Sequence, residues 1–176
     1  MADTNLGTFI PDSVITVISR ADMTPHIISG FVEGTFVSAE RLTDASTLVQ
    51  GADYSGYRIK RRNKAGTVTL TLHQSSASND VLTLLYNEDM ASDDNSTLFN
   101  ISIVDASGRS VISAGQCFIS RLAPLTMSTE GESREWVFQA LALEQYIGGN
   151  AVIPPDILAL IDELGGTIAD KFRGGV

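Results

Sequence analysis

Thr67-Val-Thr-Leu-Thr-Leu-His73 alternates strictly, with Val68, Leu70 and Leu72 on one side of an extended chain and Thr67, Thr69 and Thr71 on the other. Successive side chains of a strand point to opposite faces, so the stretch predicts a strand with one buried face and one polar face. A helix is expected directly after it. Ser78 is placed to act as its N-cap, Asp80 suits the positive end of the helix dipole, and Val81, Leu84 and Leu85 are assigned to one face, with the end near Asp89-Met90.

Working outward toward the carboxy terminus, Thr97-Leu-Phe-Asn-Ile-Ser-Ile-Val104 alternates again, and Asp105-Ala-Ser-Gly108 has turn chemistry. Strands are expected over 110–114 and 116–122, with a kink at Gly115. A further strand is expected over 134–142, where Trp136 and Phe138 share a face. Toward the amino terminus, Val14-Ile-Thr-Val-Ile-Ser19 is β-branched and reads as a strand. A second strand is expected from His26 through Val32, with a bulge or sharp bend at Gly30 and Gly34, and a continuation over 36–39. Seven or eight strands without βαβ alternation predict a mainly β fold, a β-sandwich or small barrel with the helix at its side or end.

Gly148-Gly-Asn150 closes this β domain, taken as residues 1–150. Residues 151–176 form a carboxy-terminal extension. Pro154-Pro155 starts a short helix there, with Ile157, Leu158, Leu160, Ile161 and Leu164 available for contacts, and Gly165-Gly166 stops it. The last ten residues are expected to be an arm or loose tail.

Residues 40–66 do not fit the strand pattern, being too long for a simple connection and too polar for a buried element. Tyr54 and Tyr57 flank Ser55-Gly56, which resembles a turn, and Tyr57-Arg-Ile-Lys-Arg-Arg62 sets apolar against basic residues. The segment is expected to be a projecting arm or hairpin. It also holds most of the positive charge. Of twelve basic residues, five (Arg58, Lys60, Arg61, Arg62 and Lys64) lie within seven positions, leaving seven against 21 acidic residues in the rest of a chain whose net charge is −9. Three readings of the cluster are open: a solvated face, a nucleic-acid contact aided by Tyr54 and Tyr57, and docking on the acidic surface of an identical neighbour. The third suits the asymmetry best.

Evidence for chemistry is absent from the sequence. At 43 % hydrophobic and 19 % charged residues the chain has the composition of a protein that folds, and its 176 residues suit one compact domain with elaborations. It contains no GxGxxG, phosphate-binding loop, HExxH or GxSxG motif. Cys117 is a lone cysteine on a strand, and a buried, unreactive thiol is expected. His26 and His73 stand far apart, and Glu88, Asp89, Asp93 and Asp94 lack calcium-loop spacing and read as a solvated helix end. No enzyme activity, cofactor or metal is expected. The opening residues have no basic region followed by an apolar one, and no run is apolar enough for a spanning helix, so the protein is expected to be made in a cytosol and not to cross a membrane by itself.

The succession Ser38-Ala-Glu-Arg-Leu-Thr43, Gly51-Ala-Asp53, the basic stretch 58–66, Thr67-Val-Thr-Leu-Thr-Leu72, Gln74-Ser-Ser-Ala-Ser-Asn-Asp80 and Tyr146-Ile-Gly-Gly-Asn150 resembles the tail tube proteins of contractile-tailed bacteriophages. The resemblance extends to about Asn150. It implies a β-barrel-like fold with a flanking helix, similar to the type VI secretion tube subunit, in which six subunits close a ring and rings stack into a hollow tube within a contractile sheath. The implied partners are further copies of the chain, the sheath, baseplate and terminator proteins, and viral DNA that passes through the lumen without specific binding. The implied location is the virion tail, after synthesis in the bacterial host cytoplasm. In that family a hairpin between early strands reaches a neighbouring subunit or ring, which makes Tyr54, Tyr57, Arg58, Lys60, Arg61, Arg62 and Lys64 contact candidates here. Thr67, Thr69 and Thr71 are lumen candidates, and Ile157, Leu160, Ile161 and Leu164 are candidates for contacts of the extension. A tail component that does not stack, such as a terminator or baseplate adaptor, and a small β-barrel that binds a ligand or nucleic acid are the alternatives.

Overall fold

A computed structural model of the chain describes residues 6–173; residues 1–5, read above for a leader sequence, and 174–176, the end of the expected tail, lie outside the described residues. The alternating stretch is a strand, Gly66–His73 (β6), with every second residue buried. It sits inside a seven-stranded antiparallel sheet with Val14–Arg20 (β1), Met23–Ile27 (β2), Val37–Arg41 (β3), Phe99–Asp105 (β7), Val111–Arg121 (β8) and Ser133–Tyr146 (β9), in the order β2-β1-β7-β8-β9-β6-β3. The mainly β architecture expected from the alternation is therefore present.

The sheet does not close as a continuous ladder. Its two ends are instead bridged by residues 28–36, which form hydrogen bonds to β1 (Ile28 N to Thr16 O, 2.9 Å) and to β6 (His73 N to Gly30 O, 2.7 Å; Val32 N to Thr71 O, 3.3 Å; Thr71 N to Phe36 O, 3.0 Å). The expected strand through Val32 accordingly stops at Ile27. Gly30 and Gly34 hold φ angles of 78° and 91°, and this left-handed backbone, open to glycine, turns the chain across the end of the sheet.

The buried faces converge on one core containing Ile18, Val68, Leu70, Leu72, Phe99, Ile101, Cys117, Trp136, Phe138 and Leu143. β8 and β9 can stay continuous because the alternation of β8 slips at Gly115-Gln116. Gln116 has a φ of 53°, its amide donates to Asn100 Oδ1 (3.2 Å), and the in-facing set changes from Ala114 to Cys117. The two expected strands of this region are thus one bulged strand with the kink at Gly115. Gly66 sits at a tight crossing in the sheet, since a Cβ there would lie 2.3 Å from Leu143 Cδ2 and 2.8 Å from the Glu40 carbonyl oxygen. That carbonyl belongs to the paired β3 backbone and cannot retreat without breaking the ladder. Gly66→Ala is expected to cost about 1–3 kcal/mol, read from urea unfolding midpoints.

The central helix, Ser78–Ala91 (α1), packs on this core through Leu82 and Leu85, with Val81 and Tyr86 partly buried. Leu84, assigned above to the packed face, is 68 % exposed. Ser78 is also not the N-cap. Ala77 occupies that position, and Ser78 is fully buried as the first helical residue. Its Oγ accepts from the Ser29 amide (3.1 Å) and shares a hydrogen bond with His26 Nε2 (3.0 Å), while Ser76 Oγ accepts from the Ser78 amide (3.2 Å) and donates to the Ser29 carbonyl (2.5 Å). Asn79 adds a second tie, accepting from Trp136 Nε1 at 2.9 Å and donating to the His73 carbonyl at 2.9 Å. With the helix start bonded on both sides, its rotation is set, and Ser78, Leu82 and Leu85 at i, i+4 and i+7 face the sheet.

The extension contains Pro155–Glu163 (α2) and a short 3-10 turn, Asp170–Phe172. The expected loose tail is corrected for its described part. Ile168 and Phe172 are buried with Ile153 in a second cluster against Leu158 and Ile161, and the Ile153 amide donates to the Phe172 carbonyl (2.9 Å). The Arg109 guanidinium lies 4.8 Å from the Phe172 ring centre and donates to the Ala151 carbonyl (2.6 Å), which docks the extension on the turn between β7 and β8.

Candidate assembly surfaces

Residues 40–66 contain a two-stranded hairpin, Ser46–Gln50 (β4) and Gly56–Lys60 (β5), whose strands pair only with each other. Its turn is residues 51–55, one position earlier than Ser55-Gly56 suggests, because Gly56 already pairs with Gln50. Tyr54 takes a φ of 64°, Gly51 N donates to the Ser55 carbonyl (2.7 Å), and Asp53 Oδ1 accepts from both the amide (3.1 Å) and hydroxyl (2.5 Å) of Ser55. These short local bonds hold the Asp53 carboxyl below its usual range. At the root, Leu42 N donates to the Ala65 carbonyl (3.1 Å) and Arg61 N to the Ala45 carbonyl (2.8 Å), so the arm leaves the sheet as an extension of the β3–β6 pairing.

Cross-strand register divides the basic cluster. Leu48 lies opposite Arg58 and Ser46 opposite Lys60 on one face; Thr47 lies opposite Ile59 and Val49 opposite Tyr57 on the other, where Arg61 donates to Thr47 Oγ1 (2.6 Å). Among the described residues none of Arg58, Lys60 and Arg62 forms an ion pair. Lys64 differs from them. It pairs with Glu144 on β9 and lowers the pKa of that carboxyl, chiefly through the hydrogen bond it donates, and its carbonyl accepts from the Leu143 amide (2.8 Å). Lys64 fastens the arm to the sheet, whereas Arg58, Lys60, Arg61 and Arg62 are carried outward with Tyr54 (88 % exposed), Tyr57 and Leu48.

Thr67, Thr69 and Thr71 stand half-exposed on the outward face of β6, as the alternation implies. Register places Ser38 and Val137 beside Thr69, Glu40 and Gln139 beside Thr67, and Glu135 beside Thr71. Arg121 approaches Glu135 at 3.4 Å, so this face is largely uncharged or charge-paired. On α2, Ile157, Leu160 and Leu164 are exposed, whereas Ile161 packs against the second cluster and is thereby withdrawn from the outer set.

Nothing in these surfaces resembles a reaction centre. Among the described residues no group of three His, Cys, Asp or Glu side chains could hold a metal ion, and no helix is long and apolar enough to cross a membrane. The Cys117 thiol is fully buried, and desolvation pushes its pKa up to about 11, which leaves it protonated and inert near neutrality. The acidic residues around the end of α1 serve local bonds: Glu88 receives Arg20 (3.0 Å), Asp89 accepts from Thr97, and Asp94 accepts from Ser92 and Ser96. Sequence reasoning missed Leu48 as an arm contact candidate, because its place opposite Arg58 is set by the cross-strand register.

Residues 26–148 match the family model described as Bacteriophage PhiTE tail tube protein. Structural protein ORF10 of Pseudomonas phage KPP10 is 33 % identical over 160 residues, covering 90 % of this chain and 92 % of that protein. Among solved structures, the tube-terminating cap of the anti-feeding prophage gives a TM-score of 0.49 at 13 % identity, over 83 % of this chain and 99 % of that one. The extended sheath–tube complex of the PVC extracellular contractile injection system gives 0.47 at 10 % identity, over 79 % and 91 %. From the family match and the phage relative, the chain belongs to the bacteriophage tail tube protein family, as a structural component of the virion and not an enzyme.

Proposed function

We propose that the chain assembles with copies of itself into hexameric rings that stack as the inner tube of a contractile tail, through which viral DNA leaves the capsid. The observation that carries this reading is the hairpin, an exposed and self-paired arm with unpaired cations on a chain that is otherwise strongly acidic. Its strands pair with no other strand of the chain, and its charge complements that of an identical neighbour. Pairing between subunits would also cover the free edges of β2 and β3, which an isolated sheet leaves open to other strands.

The outward face of β6 suits a conduit lining. Hydroxyl, amide and carboxylate groups there, with Arg121 paired to Glu135, offer DNA no row of cations, so passage would release few counterions and phosphates would not be held. In this reading Thr67, Thr69 and Thr71 face the lumen, the arm contacts the next subunit or ring, the extension over 151–173 lies outside the β domain, and sheath, baseplate and terminator proteins meet the outer and end surfaces. Negative-stain microscopy of the purified protein at high concentration is expected to show rings and tubes. Discs that never stack would identify a terminator or adaptor, and a strictly monomeric protein would sink the proposal.

A further inference from the structure

Helix α2 carries an apolar stripe with an acidic border. Leu158 and Ile161 turn inward onto the cluster of Ile153, Ile168 and Phe172. At 3.6 residues per turn, Ile157, Leu160 and Leu164 then fall together on the outer side, where they are 45 %, 50 % and 80 % exposed. The same geometry lines Asp156 and Glu163 along one edge of the stripe, both exposed, and the helix contains no basic residue. Ile147, 87 % exposed, lines a cavity together with Ile157 at the start of the stripe.

The hairpin presents the inverse pattern. Leu48, 72 % exposed, lies directly opposite Arg58, with Lys60 next on the same face. Arg58 and Lys60 are two residues apart on a strand, about 7 Å. Asp156 and Glu163 are seven residues apart on a helix, about 10 Å. Long basic side chains span that difference, so a leucine with two cations along one side can seat on an apolar stripe with two carboxylates along one edge.

We infer that the Leu48–Arg58–Lys60 face of one copy docks on the Ile157–Leu160–Leu164 stripe of a second copy, with Arg58 and Lys60 against Asp156 and Glu163. The inference rests on the self-assembly reading above and names the surface that receives the arm. The two patches differ, so the contact is head-to-tail and can propagate through a ring or a stack. The receiving helix lies beyond the family match, which ends at residue 148.

The test is a charge swap in the full chain. Arg58→Glu with Lys60→Glu, and separately Asp156→Lys with Glu163→Lys, are each expected to raise the concentration needed for assembly about tenfold or more by sedimentation. The combined four-site variant is expected to return toward the unmodified value. These four positions and Leu48 and Leu160 are all exposed, so circular dichroism should be unchanged. Introducing cysteines at Leu48 and Leu160 is expected to give intermolecular cross-links with a short bismaleimide, since buried Cys117 does not compete. If particles form and the arm variant blocks them, but the helix variant assembles normally and no Leu48–Leu160 cross-link appears, the inference fails while self-assembly stands. If the unmodified protein forms no particles, both fall.

Discussion

Exchange of Arg58, Lys60, Arg61 and Arg62 together for glutamate is expected to leave the protein folded and to keep it monomeric where the unmodified protein forms particles. All four side chains are exposed, β4 and β5 pair only with each other, and the one side-chain bond lost is that of Arg61 to Thr47, so stability has little reason to change. Four cations become four anions and the net charge moves from −9 to −17. On the proposed reading, a surface that attracts an acidic neighbour then repels it at short range. Interfacial charge pairs of this kind couple by about 1.5–7 kcal/mol in measured cases, so losing several should weaken association by more than about a hundredfold. The unmodified protein should assemble less readily as salt rises, because exposed charges beyond about 10 Å are screened at 0.1 M. Analytical ultracentrifugation with parallel thermal melts reads both effects; normal assembly of the fourfold variant would remove the arm from the assembly surface.

Phe138→Ala is expected to act at the opposite end, on the fold itself. Phe138 has no exposed surface, pairs with Val68 and Ile119 across both neighbouring strands, and meets Phe99 edge-on with ring centres 6.0 Å apart. Truncation removes apolar contact from the middle of β9 and leaves a cavity that flanking backbone ladders cannot close. The expected cost is about 3–5 kcal/mol, against a total stability of about 5–15 kcal/mol for a domain of ordinary kind. Urea unfolding should show the loss as a lower midpoint with little change of slope. Assembly would fail here too, but together with the thermal melt, which separates this variant from the arm variant. A shift below about 1 kcal/mol would contradict the central place given to this residue.

The two variants also mark which parts of the molecule were legible beforehand. β6, β7 and β9 announce themselves because a period of two is a local property, visible wherever one face is buried and the other is not. The arm is visible for a similar reason, since its length, turn and charge are local. Elsewhere distant partners decide. Leu84 faces solvent because Ser29, His26 and Trp136 fix the start of α1 from elsewhere in the chain. The strand through Val32 ends early because residues 28–36 are drawn across to β6. Residues near Phe172 look like a tail until Arg109 and Ile153 supply a place to pack.

The candidate surfaces divide in the same way. By itself the sequence determined the alternating strands, the acidic balance with its one basic stretch, and the lack of any residue set for catalysis. Only the tertiary structure decided that Lys64 belongs to the sheet through Glu144, that Leu48 stands with Arg58 and Lys60, and that Ile161 is withdrawn while Ile157, Leu160 and Leu164 remain outside. The physical reason is that side-chain alternation is written in neighbouring residues, whereas register and packing depend on which distant strand or cluster satisfies the same backbone and apolar groups.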